Sequence, residues 1–478
     1  MTVIRRAEVL DLEIEDFAFG GKGIARLKLE EGDYIIFVDN AFPGQRVRVR
    51  ISKKRRKYAE AKLLEVLERS PKEEISKFQE ISGAPYIFVP IKIQEEMKRT
   101  STLDVLRKIG GVKNVESLFD EFISSPEHYF YRNKMEYSFS SIEHDLQTSK
   151  EIDDAFALGF KRRGTWWKVE SLNEPSGLFD LELESKLFNL REFLKSTGLP
   201  AWHPPKKTGF FRHLVVRKSF DQDKLLINLV TSSDGIKKFN REAFKNFMID
   251  KLGGRLAGLQ HTVNDNVADR AKIENGDSIL LYGEGIVVER LLGLSFEISM
   301  ESFFQTNPKS AERLYTKALE YVFEEDLEES DIVMDLFCGT GTIGQILASK
   351  MKGVKIVGVD IVEEAIKDAR KNAERNGIQG IEFYSSDVGK FLLQYPNFEG
   401  KIKTIILDPP RAGIAPKTLR KVIALGSKNI VYISCNPSTQ ARDTAQLRDA
   451  GYDLEKISIV DQFPHTGHVE SIAKYKLK

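Results

Sequence analysis

The sequence predicts three domains in series: a small N-terminal β-barrel, a mixed α+β centre and a C-terminal α/β sheet of the Rossmann type. Three observations carry this. Short β-rich segments separated by glycine and proline turns fill residues 7–66. From residue 299 onward strand and helix signals alternate. The length, 478 residues, exceeds one ordinary domain. The expected boundaries are 1–68, 69–298 and 299–478. A hydrophobic fraction of 41% and a charged fraction of 30% are those of a folded globular chain. No run of about 18 uncharged apolar residues is present, so no membrane helix is expected. The N-terminal Met-Thr-Val-Ile-Arg-Arg lacks the apolar core of a signal peptide, which gives a cytoplasmic expectation. Two cysteines, Cys338 and Cys435, cannot build a four-cysteine zinc site or a disulfide framework.

In the barrel, strands are expected over 9–17, 23–29, 34–38, 45–52 and 59–67. Gly20-Gly21, Glu31-Gly32 and Pro43-Gly44 supply turns. Five such strands suggest a barrel of the OB type, a common platform for single-stranded nucleic acid. Net charge is only +1, yet eight basic residues and no acid lie between Arg46 and Lys57. Arg46, Arg48 and Arg50 alternate along the fourth strand and share one face. The run suits a phosphate backbone or a solvated sheet edge equally well.

Residues 71–80 read as a linker. The centre carries a helix-like stretch over 94–110 and strand-like stretches over 129–140, 155–160, 225–231, 256–264 and 278–281. Arg132, Lys134, Lys161, Arg162, Arg163, Arg212, Arg217 and Lys218 are interleaved there with Tyr131, Trp166, Trp167 and Phe211. Cations among aromatics suit phosphates and stacked bases, although each ring taken singly serves a core as well. In the C-terminal third, strands are expected over 333–337, 355–360, 381–384, 404–407 and 429–434. Helices are expected over 342–350, 363–376, 417–424 and 439–449.

Four motifs lie at or beyond the ends of those strands. Asp335-Leu-Phe-Cys-Gly-Thr-Gly-Thr-Ile-Gly344 leads from a strand into a helix, and Gly339 and Gly341 let the backbone turn beside a ligand. Asp360, ending the next strand, suits ribose hydroxyls. These two features serve a nicotinamide dinucleotide and S-adenosylmethionine alike. Leu407-Asp-Pro-Pro-Arg-Ala-Gly413 separates them, because a dehydrogenase has no use for a rigid loop presenting Asp408 and Arg411. Methylation of exocyclic amino groups uses an aromatic residue after the prolines, and Arg411 stands there. Ile433-Ser-Cys-Asn-Pro437 puts Cys435 at a strand end, where a small buried residue or a nucleophile fits. Addition of a thiolate to carbon 6 of uracil makes carbon 5 able to attack a methylsulfonium, given a thiol of lowered pKa or an adjacent base. Asp461-Gln-Phe-Pro-His-Thr-Gly-His-Val-Glu470 offers Glu470 as acceptor of the carbon-5 proton. His465 and His468 suit loop positioning or RNA contact, since a two-histidine set lacks metal-ligand spacing.

The four motifs, in this order, resemble the RNA 5-methyluridine methyltransferases that carry a TRAM domain, over most of the chain. Tyr131-Arg-Asn-Lys134, Leu158-Gly-Phe-Lys-Arg-Arg163 and Ser302-Phe-Phe-Gln-Thr-Asn307 are similar to further segments of that family. The resemblance implies Cys435 as nucleophile and Glu470 as proton acceptor. It implies S-adenosylmethionine held by Gln305, Phe337, Gly339, Gly341, Thr342, Asp360, Asp387 and Asp408. It implies uracil or RNA contacts from Asp408, Arg411, Phe303, Arg46, Arg48, Arg50, Arg132 and Lys134. Many family members hold an iron–sulfur cluster on four cysteines. The matching stretch, 78–90, has none, so no cluster is expected. The form Phe463-Pro-His-Thr-Gly-His468 resembles the 23S ribosomal RNA enzymes more than the tRNA enzymes, and a monomer is expected. Two rivals stand beside this reading. An RNA 5-methylcytosine methyltransferase would place a second cysteine after Asp408, where none occurs. A catalytically silent RNA-binding protein would have no need of Cys435, Asp408 and Glu470 together.

Overall fold

The computed structural model describes residues 4–29, 32–146, 148, 150–266, 277–351, 353–398 and 400–478. Glu31 of the expected Glu31-Gly32 turn lies outside the described residues. The chain forms two compact units. The first comprises Met1–Pro90, Glu127–Glu289 and Glu297–Asn307, and the second Ile91–Pro126, Arg290–Phe296 and Pro308–Lys478.

The first unit opens with six strands, β1 Val9–Glu13, β2 Asp16–Ala18, β3 Lys22–Leu29, β4 Gly32–Asp39, β5 Arg46–Lys54 and β6 Tyr58–Glu68, paired in the order β1-β5-β6-β4-β3-β2. The single strand expected over 9–17 is two. β1 pairs with β5 and β2 with β3. Between them the Ile14 and Glu15 amides donate to Gln45 O at 2.9 Å and Ile24 O at 2.8 Å, so the chain turns a corner and changes partners. Strict alternation explains the packing. Val47, Val49 and Ile51 enter one core with Ile36, Val38, Ala59, Ala61 and Leu63, while Arg46, Arg48 and Arg50 face outward.

The expected linker is fastened rather than loose. The Gln79 amide donates to Pro175 O at 3.0 Å. Its side-chain Oε1 accepts from the Asn173 and Glu174 amides at 2.9 and 3.1 Å, and Nε2 donates to Ser171 O at 2.9 Å. Phe78 packs on Tyr129 and Phe130, with ring centroids 4.9 and 5.4 Å away. Gly177, at φ 75°, makes room for it, because a Cβ there would lie 2.6 Å from the Phe78 ring.

Residues 91–126 join the second unit, which departs from the expected 69–298 domain. They form α1 Ile91–Lys108, α2 Val115–Leu118 and β7 Phe119–Ile123. The remainder of the first unit is a nine-stranded sheet: β8 Lys134–Ser140, β9 Glu143–His144, β10 Glu151–Ile152, β11 Ala157–Lys161, β12 Val169–Ser171, β13 Phe211–Ser219, β14 Lys224–Thr231, β15 Leu256–Val263 and β16 Asp277–Gly283. Two helices that the pattern did not announce, α3 Leu181–Ser196 and α4 Arg241–Leu252, are N-capped by the Asp180 and Asn240 side chains. A separate hairpin follows, β17 Ile286–Leu291 with β18 Leu294–Ser299.

The second unit continues with α5 Pro308–Phe323, β19 Ile332–Leu336, α6 Thr342–Lys350, β20 Lys355–Asp360, α7 Glu363–Arg375, β21 Ile381–Ser385, α8 Phe391–Gln394, β22 Ile402–Leu407, α9 Pro416–Ala424, β23 Asn429–Ser434, α10 Pro437–Asp449, β24 Tyr452–Val460 and β25 Glu470–Leu477. Its sheet runs β21-β20-β19-β22-β23-β25-β24-β7. The first five of these strands pair in parallel. β25 is antiparallel to both its neighbours, and β7 lies parallel to β24 at the edge. Pairing of β7 with β24 and packing of α1 on α10 place 91–126 here. A Cβ on Gly110 would approach Ala441 O at 3.3 Å, and Arg448 Nη1 donates to Gly111 O at 2.7 Å.

Gln79→Ala removes the three side-chain hydrogen bonds of the clasp, and we expect it to destabilise the first unit by about 1–3 kcal/mol. Urea unfolding of the full chain measures this; an unchanged midpoint would show that Gln79 contributes nothing.

Candidate active site

The carboxyl ends of the parallel strands converge on one rim of the second unit. At the end of β19, Asp335 Oδ2 accepts from the Gly344 amide at 2.9 Å and closes the glycine loop. Among the described residues Asp335 Oδ1 is buried with no hydrogen-bond partner. Desolvation, with Asp408 and Asp360 nearby, pushes this carboxyl up to about 8. Phe337 sits at φ 62°, a left-handed backbone that a bulky residue rarely adopts. A Cβ on Gly339 would meet only open space, and one on Gly341 would run into the Phe383 ring. Thr342 follows as the first residue of α6.

At the end of β20, Asp360 accepts from the Gly339 amide at 3.0 Å and the Val362 amide at 2.8 Å. Beyond it Ile361 is 68% exposed, an unusual position for isoleucine and one the sequence reading passed over. The Ser386 amide donates to Asp360 O at 2.9 Å, which brings Asp387, at the end of β21, to the same rim. Asp408, just beyond β22, is partly buried, and desolvation raises its carboxyl to about 7.

Cys435 and Glu470 are set by strand register. Ser434 and Ser471 are the last paired residues of β23 and β25. Cys435 is therefore one step beyond β23 where Glu470, one step before Ser471, opposes it across the ladder. Opposed residues have Cα atoms about 4.5–5.5 Å apart. Asn436 caps α10 and its Nδ2 donates to Arg411 O at 3.0 Å, tying the cysteine turn to the Pro-Pro loop. Arg411 Nη2 lies 3.4 Å from His468 Nδ1. Burial, with Glu470 and Asp408 close by, pushes the Cys435 thiol up to about 11, against the opposing effect of Arg411. Burial and Asp408 hold the Glu470 carboxyl well above the usual range. The thiol is thus not of lowered pKa. Cys338, by contrast, is a desolvated thiol raised well above its ordinary value, beside the packed ring of Phe383.

The segment between β24 and β25 is anchored by α1. Lys98 Nζ donates to Asp461 Oδ1 at 2.7 Å, an ion pair with both partners buried, and to Phe463 O at 3.0 Å. Gln94 Oε1 accepts from the His465 amide at 2.8 Å, and Nε2 lies 3.2 Å from His465 Nδ1. His465 is fully buried at φ 65°. Its place is structural, while His468 is at the rim.

The remaining expected residues lie in the first unit. Gln305 O accepts from Asn133 Nδ2 at 3.0 Å, and Phe303 is 76% exposed. Lys134 pairs with Glu136 at 2.7 Å, and Arg132 Nε reaches Lys134 O at 3.4 Å. Arg46 pairs with Glu68, and Arg48 with Asp11 and Glu65. Exposed pairs of this kind are worth about 0–1 kcal/mol.

A Rossmann-type sheet presents a glycine loop, an acid at the end of the next strand and a cysteine with nearby carboxylates on one rim, and the chain also carries a small N-terminal β-barrel. Residues 286–474 match the family described as tRNA (Uracil-5-)-methyltransferase, and residues 5–64 match the TRAM domain. A Clostridium acetobutylicum protein named as an uncharacterized RNA methyltransferase is 36% identical over 486 residues, covering 100% of both chains. A Clostridium tetani protein of the same description is 35% identical over 480 residues, covering 99% of each. The crystal structure of Pyrococcus abyssi tRNA (uracil-54, C5)-methyltransferase in complex with S-adenosyl-L-homocysteine superposes with a TM-score of 0.68. It is 26% identical and covers 98% of this chain and 100% of that one. The chain belongs to the TRAM-bearing RNA uracil-5 methyltransferases, S-adenosylmethionine-dependent enzymes. Among the described residues no helix is long and apolar enough to cross a membrane.

The raised carboxyls give a pH signature. A folded-state pKa of about 7 for Asp408, above its ordinary 3.8, means the folded chain holds an extra proton between those values. Stability therefore falls as pH rises through that window, and the loss is complete above about pH 7. We expect Asp408→Asn to raise the thermal midpoint at pH 8 and to have little effect at pH 4, measured by calorimetry; a pH-independent difference would contradict the assignment.

Proposed function

We propose that the enzyme methylates carbon 5 of a uridine in ribosomal RNA through a covalent bond from Cys435 to carbon 6. The covalent step is supported by the β23–β25 register, which ends at Ser434 opposite Ser471, one residue short of Cys435 and Glu470, and by the nearness of Glu470 and Asp408 to the Cys435 thiol. In the first step the thiol proton passes to Asp408, whose raised carboxyl near neutrality suits a general base. The sulfur pair bonds to carbon 6, and the ring double-bond electrons move toward the carbon-4 oxygen. Carbon 5 of the enolate then takes up the methyl group that S-adenosylmethionine, if held at this rim, would supply, and the electron pair of the broken S–CH3 bond would remain on the departing sulfur. Glu470, as carboxylate, removes the proton from carbon 5. The electrons of that C–H bond rebuild the ring double bond and Cys435 leaves as thiolate. A raised pKa makes Glu470 a stronger acceptor for a weakly acidic carbon.

The rim fits a nucleoside sulfonium. Both Asp360 oxygens keep a lone pair for ribose hydroxyls. The exposed Ile361 and the Asp387 carboxylate flank where an adenine would lie, and the open side of Gly339 and the left-handed Phe337 leave space for the chain. When bound, S-adenosylmethionine supplies an electrophilic methyl group. Thr342 completes the proposed cofactor set within the second unit. Arg411 and Phe303 are assigned to the RNA.

The form of the 463–468 loop supports ribosomal RNA. Transfer RNA is the second reading, favoured by the names of the matched family and of the Pyrococcus abyssi enzyme. Mapping 5-methyluridine in 23S ribosomal RNA and tRNA from a strain lacking the gene decides between them, with the chain restored as control. Monomeric, cytoplasmic action goes with this proposal.

Cys435→Ala is expected to abolish methyl transfer, by at least about a thousandfold, while RNA affinity stays within about twofold of the parent. Glu470→Gln is expected to slow release, so that a protein–RNA adduct survives a denaturing gel. Methylation by Cys435→Ala would remove the covalent route, and absence of an adduct with Glu470→Gln would remove Glu470 as the base.

A further inference from the structure

Asp443 is a fully buried acid that the proposed mechanism does not use. It lies in the second turn of α10, the helix whose cap, Asn436, directly follows Cys435. Its carboxylate is held from three segments. Tyr432 Oη, from β23, donates to Oδ2 at 2.8 Å. The Ile414 amide donates to the same oxygen at 3.1 Å. Arg442 Nε donates to Oδ1 at 2.8 Å. Arg442 also turns its Nη2 onto Ile414 O at 2.9 Å, so two neighbouring helix residues grip both backbone polar groups of one loop residue. Burial, with Asp443 beside it, raises the Tyr432 hydroxyl well above its ordinary value and keeps it a donor.

Ile414 ends the loop that begins at Asp408. Pro409 and Ile414 are buried, but Pro410, Arg411 and Ala412 between them are exposed, so the loop has little core of its own. Its fastenings come from α10. Asn436 Nδ2 holds Arg411 O at 3.0 Å. Gly413, at φ 73°, lies so near that a Cβ there would stand 2.7 Å from Thr439 Cβ. Asn436, Thr439 and Asp443 share one side of the helix, because residues three and four apart are neighbours. The loop itself is stiff. Pro409 and Pro410 fix φ at successive residues, and the Gly413 amide donates to Pro410 O at 2.8 Å, closing a turn. A stiff segment gripped at Ile414 passes a displacement there on to Asp408.

We infer that Asp443 is a positioning residue: through Ile414 it sets where Asp408 stands relative to the Cys435 sulfur. One helix is thereby tied to both partners of the first proton transfer. Cys435 leads into its cap, and Asp408 stands at the far end of the loop that its side chains clamp. Asp443 touches neither the thiol nor the RNA, and its effect is on the geometry of the attack. A displacement of about 1 Å between reacting groups can cost about a hundredfold in rate.

The inference rests on Asp408 accepting the thiol proton in the proposed mechanism. Its test uses total RNA from a strain lacking the gene, which carries the unmodified uridine whichever RNA holds it. Excess full-length enzyme and labelled S-adenosylmethionine give single-turnover rates. Asp443→Asn is expected to lower the maximal rate by about a hundredfold, with the enzyme and cofactor concentrations for half-maximal rate within about twofold of the parent's. Arg442→Met, at a partly exposed side chain, loosens the same grip more gently and is expected to cost about tenfold. Tyr432→Phe removes a hydrogen bond from the same carboxylate and none from the loop. It is expected to lower the thermal midpoint by about 2–4 °C and to keep the parental rate. Asp408→Asn/Asp443→Asn is expected to lose no more than Asp408→Asn alone, because Asp443 acts through Asp408. A parental rate in the folded clamp variants, an equal loss in Tyr432→Phe, or additive losses in the double variant overturns the inference. A parental rate in Asp408→Asn defeats the Asp408 step of the mechanism and this inference with it. Loss in Asp408→Asn beside a parental rate in Asp443→Asn defeats this inference alone.

Discussion

One reversed strand organises the chemistry. β25 enters the sheet antiparallel between β23 and β24. Its first residue consequently lies among the carboxyl ends of the parallel strands, where the proposed cofactor rim lies. Were β25 parallel, Glu470 would sit at the opposite edge of the sheet, a strand length away. Because side chains alternate along a strand, a slip of one residue would turn Glu470 to the other face. The buried Ser434–Ser471 pair and Gln440, which accepts from Ser471 Oγ at 2.7 Å and donates to Tyr432 O at 2.8 Å, pin that register.

Electrostatics follow from the same placement. Four carboxyl groups, Asp335, Asp360, Asp408 and Glu470, gather at the ends of neighbouring strands. Desolvation holds three of them above the ordinary range, with repulsion from neighbouring carboxylates adding to it for Asp335 and Glu470. The same neighbourhood raises the Cys435 thiol, so in the proposed mechanism a base takes its proton at the moment of attack.

Much of this was legible in the sequence, for a definable reason. The carboxyl-end motifs are local: Asp335 to Gly344, Asp360, Asp408 to Arg411 and Cys435 each follow an apolar run of strand length, so period and turn chemistry place them. The helix expected over 342–350 and the strands expected over 355–360 and 429–434 coincide with α6, β20 and β23. Partnerships over long sequence separations were illegible. Nothing near Gln94 or Lys98 announces contact with residues 371 and 363 positions away. β7 is five residues of ordinary composition and acquires meaning only beside β24. The corner at Ile14–Glu15 was hidden because an unbroken β-rich stretch reads as one strand whether or not it changes partners. The ion pairs that neutralise Arg46 and Arg48 come from strands β1 and β6, so a linear charge run overstated the free charge.

Incubation with RNA containing 5-fluorouridine at the target position, in the presence of S-adenosylmethionine, tests the central claim most directly. Fluorine at carbon 5 cannot be removed as a proton, so the covalent species is expected to persist after transfer. Mass spectrometry of the digested complex should then find a methylated fluorouridine linked to the peptide containing Cys435. No linked peptide, or linkage through Cys338, would contradict the account.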